Sequence, residues 1–435
     1  MNATTISRLA AATPDTRNRV VDLYRAIAIG VVVLGHWLMA AMVVRDGGIH
    51  STNTLDLVPS MHGLTWVVQV MPLFFFVGGY ANATSWRSAR AKGDSWATWQ
   101  RARLRRLMTP VLPLLVAWLG ICLVGASLGV PNDELRSASQ HALIPTWFLA
   151  VYVLVVAIVP VTLALWERFG WWSLVGGMAA AGLVDLASIT SDSILVGFLN
   201  YLFVWASVHQ LGYAWRDGAL GTVPRRVALS AVGLAVLSAL VYFGPYPLVM
   251  VGTGEPIQNS YPARVTLLFL GMFQVGLALL LERRLQAWLQ RPGPWKATIA
   301  VNARIMTLFL WHMTAMLLIA WASLAVDGWG LDIEPVSDRW WATRPVWFAV
   351  CAAVTLALVA VFGRLENPSV DLRPAPSTWR PALATVLVCG GLAVMAKFGV
   401  VSDAGVQWVW PVLPVAAILL LGVVPLQALL PRPRS

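Results

Sequence analysis

Residues 22–37 read DLYRAIAIGVVVLGHW, an apolar run that carries an acid, a cation and an imidazole: Asp22, Arg25 and His36. A helix that faces lipid excludes charge, so ionisable side chains within a spanning segment turn to a bundle interior or a water-filled cavity and commonly mark function. At about 100° per residue, the eleven steps from Arg25 to His36 make about three turns plus roughly 20°. Asp22 precedes Arg25 by one turn. The three therefore share one face of a helix, in a line about 20 Å long at 1.5 Å per residue. A structural reading stands beside the functional one: an ion pair at a helix end and a buried histidine bonded to a neighbour.

Around this stretch the composition leaves one fold class. Of 435 residues, 58% are hydrophobic and 12% charged, and the mean hydropathy is +0.70, far from a soluble domain. The chain is expected to be an all-α polytopic membrane protein. The net charge of +11 sits mostly in short loops between apolar runs, where it reports orientation, and no nucleic-acid motif accompanies it. Cys122, Cys351 and Cys389 lie in apolar runs with no metal-like spacing, so neither a disulfide framework nor a metal site is expected. The first apolar run is long enough to span and is read as retained.

Apolar runs of bilayer length fall near 23–44, 62–84, 107–129, 146–166, 172–190, 194–214, 226–243, 262–281, 298–324, 345–362, 380–400 and 408–430, about twelve spans. Loop charges alternate between them. One side holds Arg17 and Arg19, the cluster from Arg87 to Arg106, then Arg168, Arg225, Arg226, Arg283, Arg284, Arg364, Arg373, Arg432 and Arg434; the other collects Asp46, Asp56, Asp133, Glu134, Glu255, Asp327 and Glu334. By the positive-inside rule both termini are expected in the cytoplasm.

Four further stretches carry chemistry. In MPLFFFVGGY (71–80), Gly78 and Gly79 permit close approach of a second backbone or of a ligand. In RARLRRLMTP (101–110), Arg101, Arg103, Arg105 and Arg106 form a dense cationic segment; Arg103 and Arg106, one turn apart, suit a phosphate, and the plainer reading is anchoring or anionic lipid. In PTWFLAVY (145–152), Trp147 is placed as an interfacial anchor or a sugar-stacking ring, and Tyr152 carries a hydroxyl deeper. In NARIMTLFLWHM (302–313), Arg304 and His312 repeat the pattern of Arg25 and His36, with the two histidines expected at similar depth. Trp340, Trp341 and Trp347 read as part of an outer aromatic belt, and the loop 244–262 as a spacer or a lid.

Together RVVDLYRAIAIGVVVLGHW, MPLFFFVGGY, RARLRRLMTP, PTWFLAVY and LWHM, in this order, resemble the motifs of the membrane acyltransferase-3 family over roughly residues 19–365. The chain departs from the family where Gly78, Gly79 and Tyr80 stand in place of a frequent Ser-Gly-Phe. The resemblance implies a ten-helix core over 1–365, followed over 366–435 by two additional transmembrane helices and a short basic tail.

It also implies an O-acyltransferase that moves an acyl group, in the first instance acetyl, from cytoplasmic acyl-CoA to a hydroxyl of an extracytoplasmic glycan or glycolipid, in the plasma membrane and among its lipids. Neutral-range imidazole chemistry suits the base that deprotonates a hydroxyl, which gives His36 that role, Arg25 the orientation of the donor, Asp22 the positioning of Arg25, and His312 a second base, relay or oxyanion donor. Arg101, Arg103, Arg105 and Arg106 would bind the donor phosphates, and Trp147 and Tyr152 the acceptor. The alternative is a proton-coupled transporter or lipid flippase using the two histidines.

Overall fold

The computed structural model describes residues 3–14, 17–366 and 374–422. Among them the only sheets are two small hairpins, Ala40–Arg45 with Gly48–Asn53 and Val401–Ser402 with Gly405–Val406; the other regular elements are helices, as lipid requires of an open chain. Among the described residues eight helices are long and apolar enough to cross a bilayer, and three bent pairs raise this to eleven if each pair is one span. About twelve were expected. Two of the bends fall at prolines, 43° where Pro110 precedes Val111–Ser127 and 47° where Pro145 opens Pro145–Ala157, because a proline offers no N–H to the preceding turn. The run 298–324 divides into Pro292–Asn302 and Ile305–Leu324. Of the last expected span, Val409–Leu420 is helical; its end, with Arg373, Arg432 and Arg434 of the expected basic side, lies outside the described residues.

The chain forms two compact units. The first comprises Met1–Ala40, Thr52–Ser88 and Ile158–Ile305. Within it the helices Met71–Ala91 and Asn200–Arg216 meet backbone to backbone: a Cβ on Gly79 would lie 1.9 Å from the His209 carbonyl oxygen, and one on Gly212 would lie 2.2 Å from that of Phe76. Phe75 stacks on Trp205 and Phe76 on Trp215, with centroids 4.4 and 4.9 Å apart. Gly79 and the phenylalanine run thus serve helix packing. The crossing also buries a polar chain, in which Asn82 meets His209 Nε2 at 3.2 Å, His209 Nδ1 meets the Tyr213 hydroxyl at 3.0 Å, and that hydroxyl meets Thr162 Oγ1 at 2.9 Å.

At the other end of this unit, the long 244–264 connection is stapled to residues 53–69. Trp66 Nε1 donates to the Leu248 carbonyl at 2.7 Å, Met250 N to Thr65 Oγ1 at 2.9 Å, and Asn53 Nδ2 to the Gly252 carbonyl at 2.9 Å. Asn259 braces it from within, donating to the carbonyls of Pro247 and Val249, both at 2.8 Å. Backbone polar groups that would otherwise be buried and unpaired are satisfied in this way. The connection is a fixed cap on the first unit.

The second unit comprises Ala41–Ser51, Ala89–Ala157 and Met306–Ser435. Its helix Trp379–Phe398, beyond the motif-bearing stretch, packs along Pro145–Ala157: Thr146 Oγ1 donates to the Leu392 carbonyl at 3.1 Å, and the Cys389 thiol to that of Ala150 at 3.2 Å. Gln100 Nε2 adds a bond to Thr385 Oγ1 at 3.0 Å. The buried Glu366 carboxylate closes the start of Ile305–Leu324, accepting from the backbone N–H groups of Met306 and Thr307 at 3.1 Å each and from Thr307 Oγ1 at 2.7 Å. An acid at a helix N-terminus satisfies orphan donors and complements the dipole.

Candidate active site

Asp22, Arg25 and His36 belong to one unbroken helix, Arg19–Met39, opened by the Asn18 side chain, which accepts from Val20 N at 3.1 Å. The Asp22 side chain is only 8% exposed and lies between two arginines. Arg17 donates to its Oδ2 through Nε and Nη2, both at 2.8 Å, and Arg25 Nη1 stands 3.5 Å from its Oδ1. Asn302 Nδ2 donates to the Asp22 backbone carbonyl at 2.9 Å, which ties this turn to Pro292–Asn302. A buried carboxylate needs such partners, and Arg25 is held by one that is itself fixed.

Toward the other end of the helix, His36 is half-buried. The exposed residues Ile27 and Leu34 mark the lipid-facing side, roughly 120–140° around the axis from Asp22, whereas His36 lies about 40° to the other side of Asp22. It follows the buried stripe of Asp22, Ile29 and Val33. The imidazole therefore faces the interior of its unit and keeps part of its surface accessible. Roughly 16 Å of helix axis separates it from Arg25, so the ion pair and the imidazole meet different parts of any elongated ligand. Beside the ion pair opens a cavity of about 540 Å³ lined by Arg17, Asn18, Glu282, Arg283, Gln286 and Gln290. Glu282 is bonded there to Arg226 at 2.5 Å and to the Trp215 indole at 2.7 Å.

In the second unit the helix Ile305–Leu324 carries His312, which is fully buried; its Nδ1 lies 2.6 Å from the Phe309 carbonyl oxygen. A run of rings links it to two other residues singled out by the sequence. The Phe309 ring lies 6.0 Å from that of His312 and 5.5 Å, edge-on, from Phe148; Phe148 lies 5.7 Å from Tyr152 and 6.3 Å from Trp147. Trp147, Tyr152 and His312 thus belong to one aromatic cluster. Trp147 and Tyr152 are half-buried, so the cluster has an accessible edge. His312 follows Ile305 by about two turns, and His36 lies within the last turn of Arg19–Met39.

The cationic segment forms the helix Trp96–Met108, capped by Ser95, whose hydroxyl accepts from Thr98 N at 3.2 Å. Its four arginines diverge. Arg101 is buried and donates to the Pro374 carbonyl at 2.7 Å, so it holds the chain together where the sequence had grouped it with ligand-binding neighbours. The Arg103 guanidinium lies over the Trp99 ring at 5.3 Å, Arg105 is half-buried and Arg106 exposed. Arg103 and Arg106 share a face.

Several residues of consequence were not singled out by the sequence. Arg17, counted there as a loop cation, is the closer partner of Asp22; its position before the helix start hid the pairing. Glu366 caps the His312 helix from far along the chain. Trp340 and Trp347, grouped with Trp341 in an outer belt, are buried around Arg344. Among the described residues no group of three or more His, Cys, Asp or Glu side chains is arranged to hold a metal ion.

Neither a curated protein nor a solved structure matches the chain. A family model does: residues 18–364 match the acyltransferase domain of the acyltransferase-3 family. That stretch contains the Asp22–Arg25–His36 helix, the cationic helix and the aromatic cluster around His312, and the chain belongs to the acyltransferase-3 family of membrane acyltransferases.

Proposed function

We propose that the protein is an O-acyltransferase of the plasma membrane that takes an acyl group, in the first instance acetyl, from cytoplasmic acyl-CoA and delivers it to a hydroxyl of an extracytoplasmic glycan or glycolipid. The observation that carries this reading is the placement of His36: an accessible imidazole on the inward face of a helix whose opposite end holds a fixed cation. His36 is the base that takes the proton of the acceptor hydroxyl, a task for which an imidazole within hydrogen-bond reach of the hydroxyl is suited. Arg25, held by Asp22 and about 16 Å away along the axis, orients the donor at a distance from the reacting carbonyl.

Arg103 and Arg106 are the phosphate-binding pair for the donor, as a shared arginine face favours; Arg101 supports the segment. The half-buried Trp147 and Tyr152 receive the acceptor, and His312, behind them, tunes or relays. In the transfer itself the acceptor oxygen attacks the thioester carbonyl as its proton goes to His36, the carbon–sulfur bond then breaks, and that proton passes to the departing sulfur, which leaves as the CoA thiol. The test is labelled acetyl-CoA with purified protein in liposomes and a panel of polysaccharide and glycolipid acceptors. Acceptor-dependent appearance of label in an ester supports the reading. Failure of acetyl-CoA and longer acyl-CoAs to donate to any acceptor, with protein that remains folded, overturns the donor assignment.

A further inference from the structure

The helix Asp338–Phe362 presents an unusual inward face. Its buried residues, Trp340, Arg344, Trp347, Cys351 and Thr355, recur at intervals of three and four, while Val346, Val350, Leu356 and Val361 on the other side are exposed. The exposed set has the character of a lipid-facing surface, so Arg344 points away from lipid. It is 6% exposed and about 9 Å along the helix from its start at Asp338.

A buried guanidinium normally has a carboxylate. Arg344 has none among the described residues. Its guanidinium carbon lies 3.9 Å from the centroid of Trp340 and 5.5 Å from that of Trp347, and its Nε donates to the Trp340 carbonyl at 3.1 Å. Indole faces offset part of the desolvation of a cation, on the order of 2 kcal/mol, yet they use its flat side and leave the Nη edge, the one suited to two parallel bonds with an oxyanion. No described residue accepts from Nη1 or Nη2. The Trp340 indole N–H, in the same cluster, is buried without a partner. Unpaired buried donors of this kind call for an explanation.

We propose that Arg344, backed by Trp340 and Trp347, forms an oxyanion-binding subsite in the interior of the second unit, where a carboxylate or phosphate accepts from the Arg344 Nη edge and the Trp340 N–H. Occupancy of the site is measurable without turnover. Two sources supply such a group: an acidic soluble sugar, or the phosphate of an anionic lipid.

The experiment places the full-length protein in phosphatidylcholine nanodiscs and follows the thermal unfolding midpoint with increasing glucuronate, with glucose as the neutral control; a parallel series replaces part of the phosphatidylcholine with phosphatidylglycerol. A ligand that binds only the native state raises the midpoint. The expected result is saturable stabilisation by one of the two anions, which identifies the source, and at least tenfold weaker apparent affinity in Arg344→Met. Arg339→Met, an exposed cation on the same helix, is expected to bind as the wild type does. Where Arg344→Met does not fold, Arg344→Lys, which keeps charge but loses the fork, and Trp340→Phe, which keeps the ring but loses the N–H, are each expected to weaken binding several-fold. Absence of stabilisation by both anions, or wild-type affinity in these variants, overturns the proposal.

Discussion

Arg25 stands 3.5 Å from Asp22, but Asp22 is held more tightly by Arg17, at 2.8 Å. The carboxylate is shared, and its removal leaves two cations facing one another. Asp22→Asn is therefore expected to act in two ways: to lose about 1–3 kcal/mol of stability, the usual cost of breaking a partly buried ion pair, and to let Arg25 drift from its place, with kcat falling about tenfold or more. Arg17→Gln removes one cation and leaves the Asp22–Arg25 pair, so it is expected to retain most of kcat. A reversal of that order, measured with initial rates and thermal unfolding on the same preparations, would make Arg17, in place of Arg25, the cation that orients the donor.

His36→Ala is expected to abolish transfer and leave the fold intact, since the imidazole is half-buried and interior without filling the core. His36→Gln keeps a hydrogen-bonding group but no base, and a loss of 10²-fold or more in kcat is expected if proton removal is the function lost. Turnover near that of the wild type in either variant sinks the catalytic assignment.

How far these features were legible in the chain depends on their range. Asp22, Arg25 and His36 lie on one continuous helix, so helical periodicity alone placed them on one face. The all-helical membrane class followed from hydropathy because a bilayer admits few alternatives. The Gly79 crossing was half legible: the glycines announced a close approach, but only the fold names Gly212 as the partner. Contacts that join distant segments carried no local signal. Glu366 capping the helix at Met306 and Pro374 accepting from Arg101 both depend on which segments become neighbours. Periodicity does not encode that.

The Gly79 crossing is unforgiving. A Cβ there would sit 1.9 Å from the backbone oxygen of His209, and a backbone atom does not move aside as a side-chain tip does. Gly79→Ala is expected to force the two helices apart, cost on the order of 1–3 kcal/mol, and disturb the buried Asn82–His209–Tyr213 chain beside it. Gly30→Ala, at a helix position where an added Cβ meets nothing within 4 Å, is the control and is expected to be neutral or slightly stabilising. Equal midpoints for Gly79→Ala and the wild type would remove the steric argument.

Arg101 and its neighbours predict different kinetic signatures. Arg103→Ala with Arg106→Ala is expected to raise KM for the acyl donor severalfold, with little change in KM for the acceptor. Arg101→Ala leaves the Pro374 carbonyl without its donor and is expected to lower stability by about 1–2 kcal/mol without a donor-specific KM effect. A larger acceptor than donor effect in the double variant refutes the phosphate assignment for that face.

Acid stability at the end of the helix Asn200–Arg216 rests on Asp217. Its carboxylate accepts from Arg87 Nη1 and Nη2 at 2.5 and 2.9 Å, from the Trp166 indole at 3.0 Å and from Arg216 at 3.2 Å. Burial pushes the carboxyl up, but the Arg87 guanidinium, with Trp166 and Arg216, outweighs burial and holds it below the ordinary value of 3.8. A carboxylate depressed in the folded state adds stability that is fully present above its unfolded value and is lost as pH falls through the folded one. Asp217→Asn is therefore expected to unfold at lower temperature than the wild type at pH 7, with the difference nearly constant down to about pH 5 and shrinking below about pH 4. Thermal midpoints of both proteins across that range check it. A difference that stays unchanged at the acid end would mean that Asp217 stabilises through hydrogen bonds that do not depend on its charge.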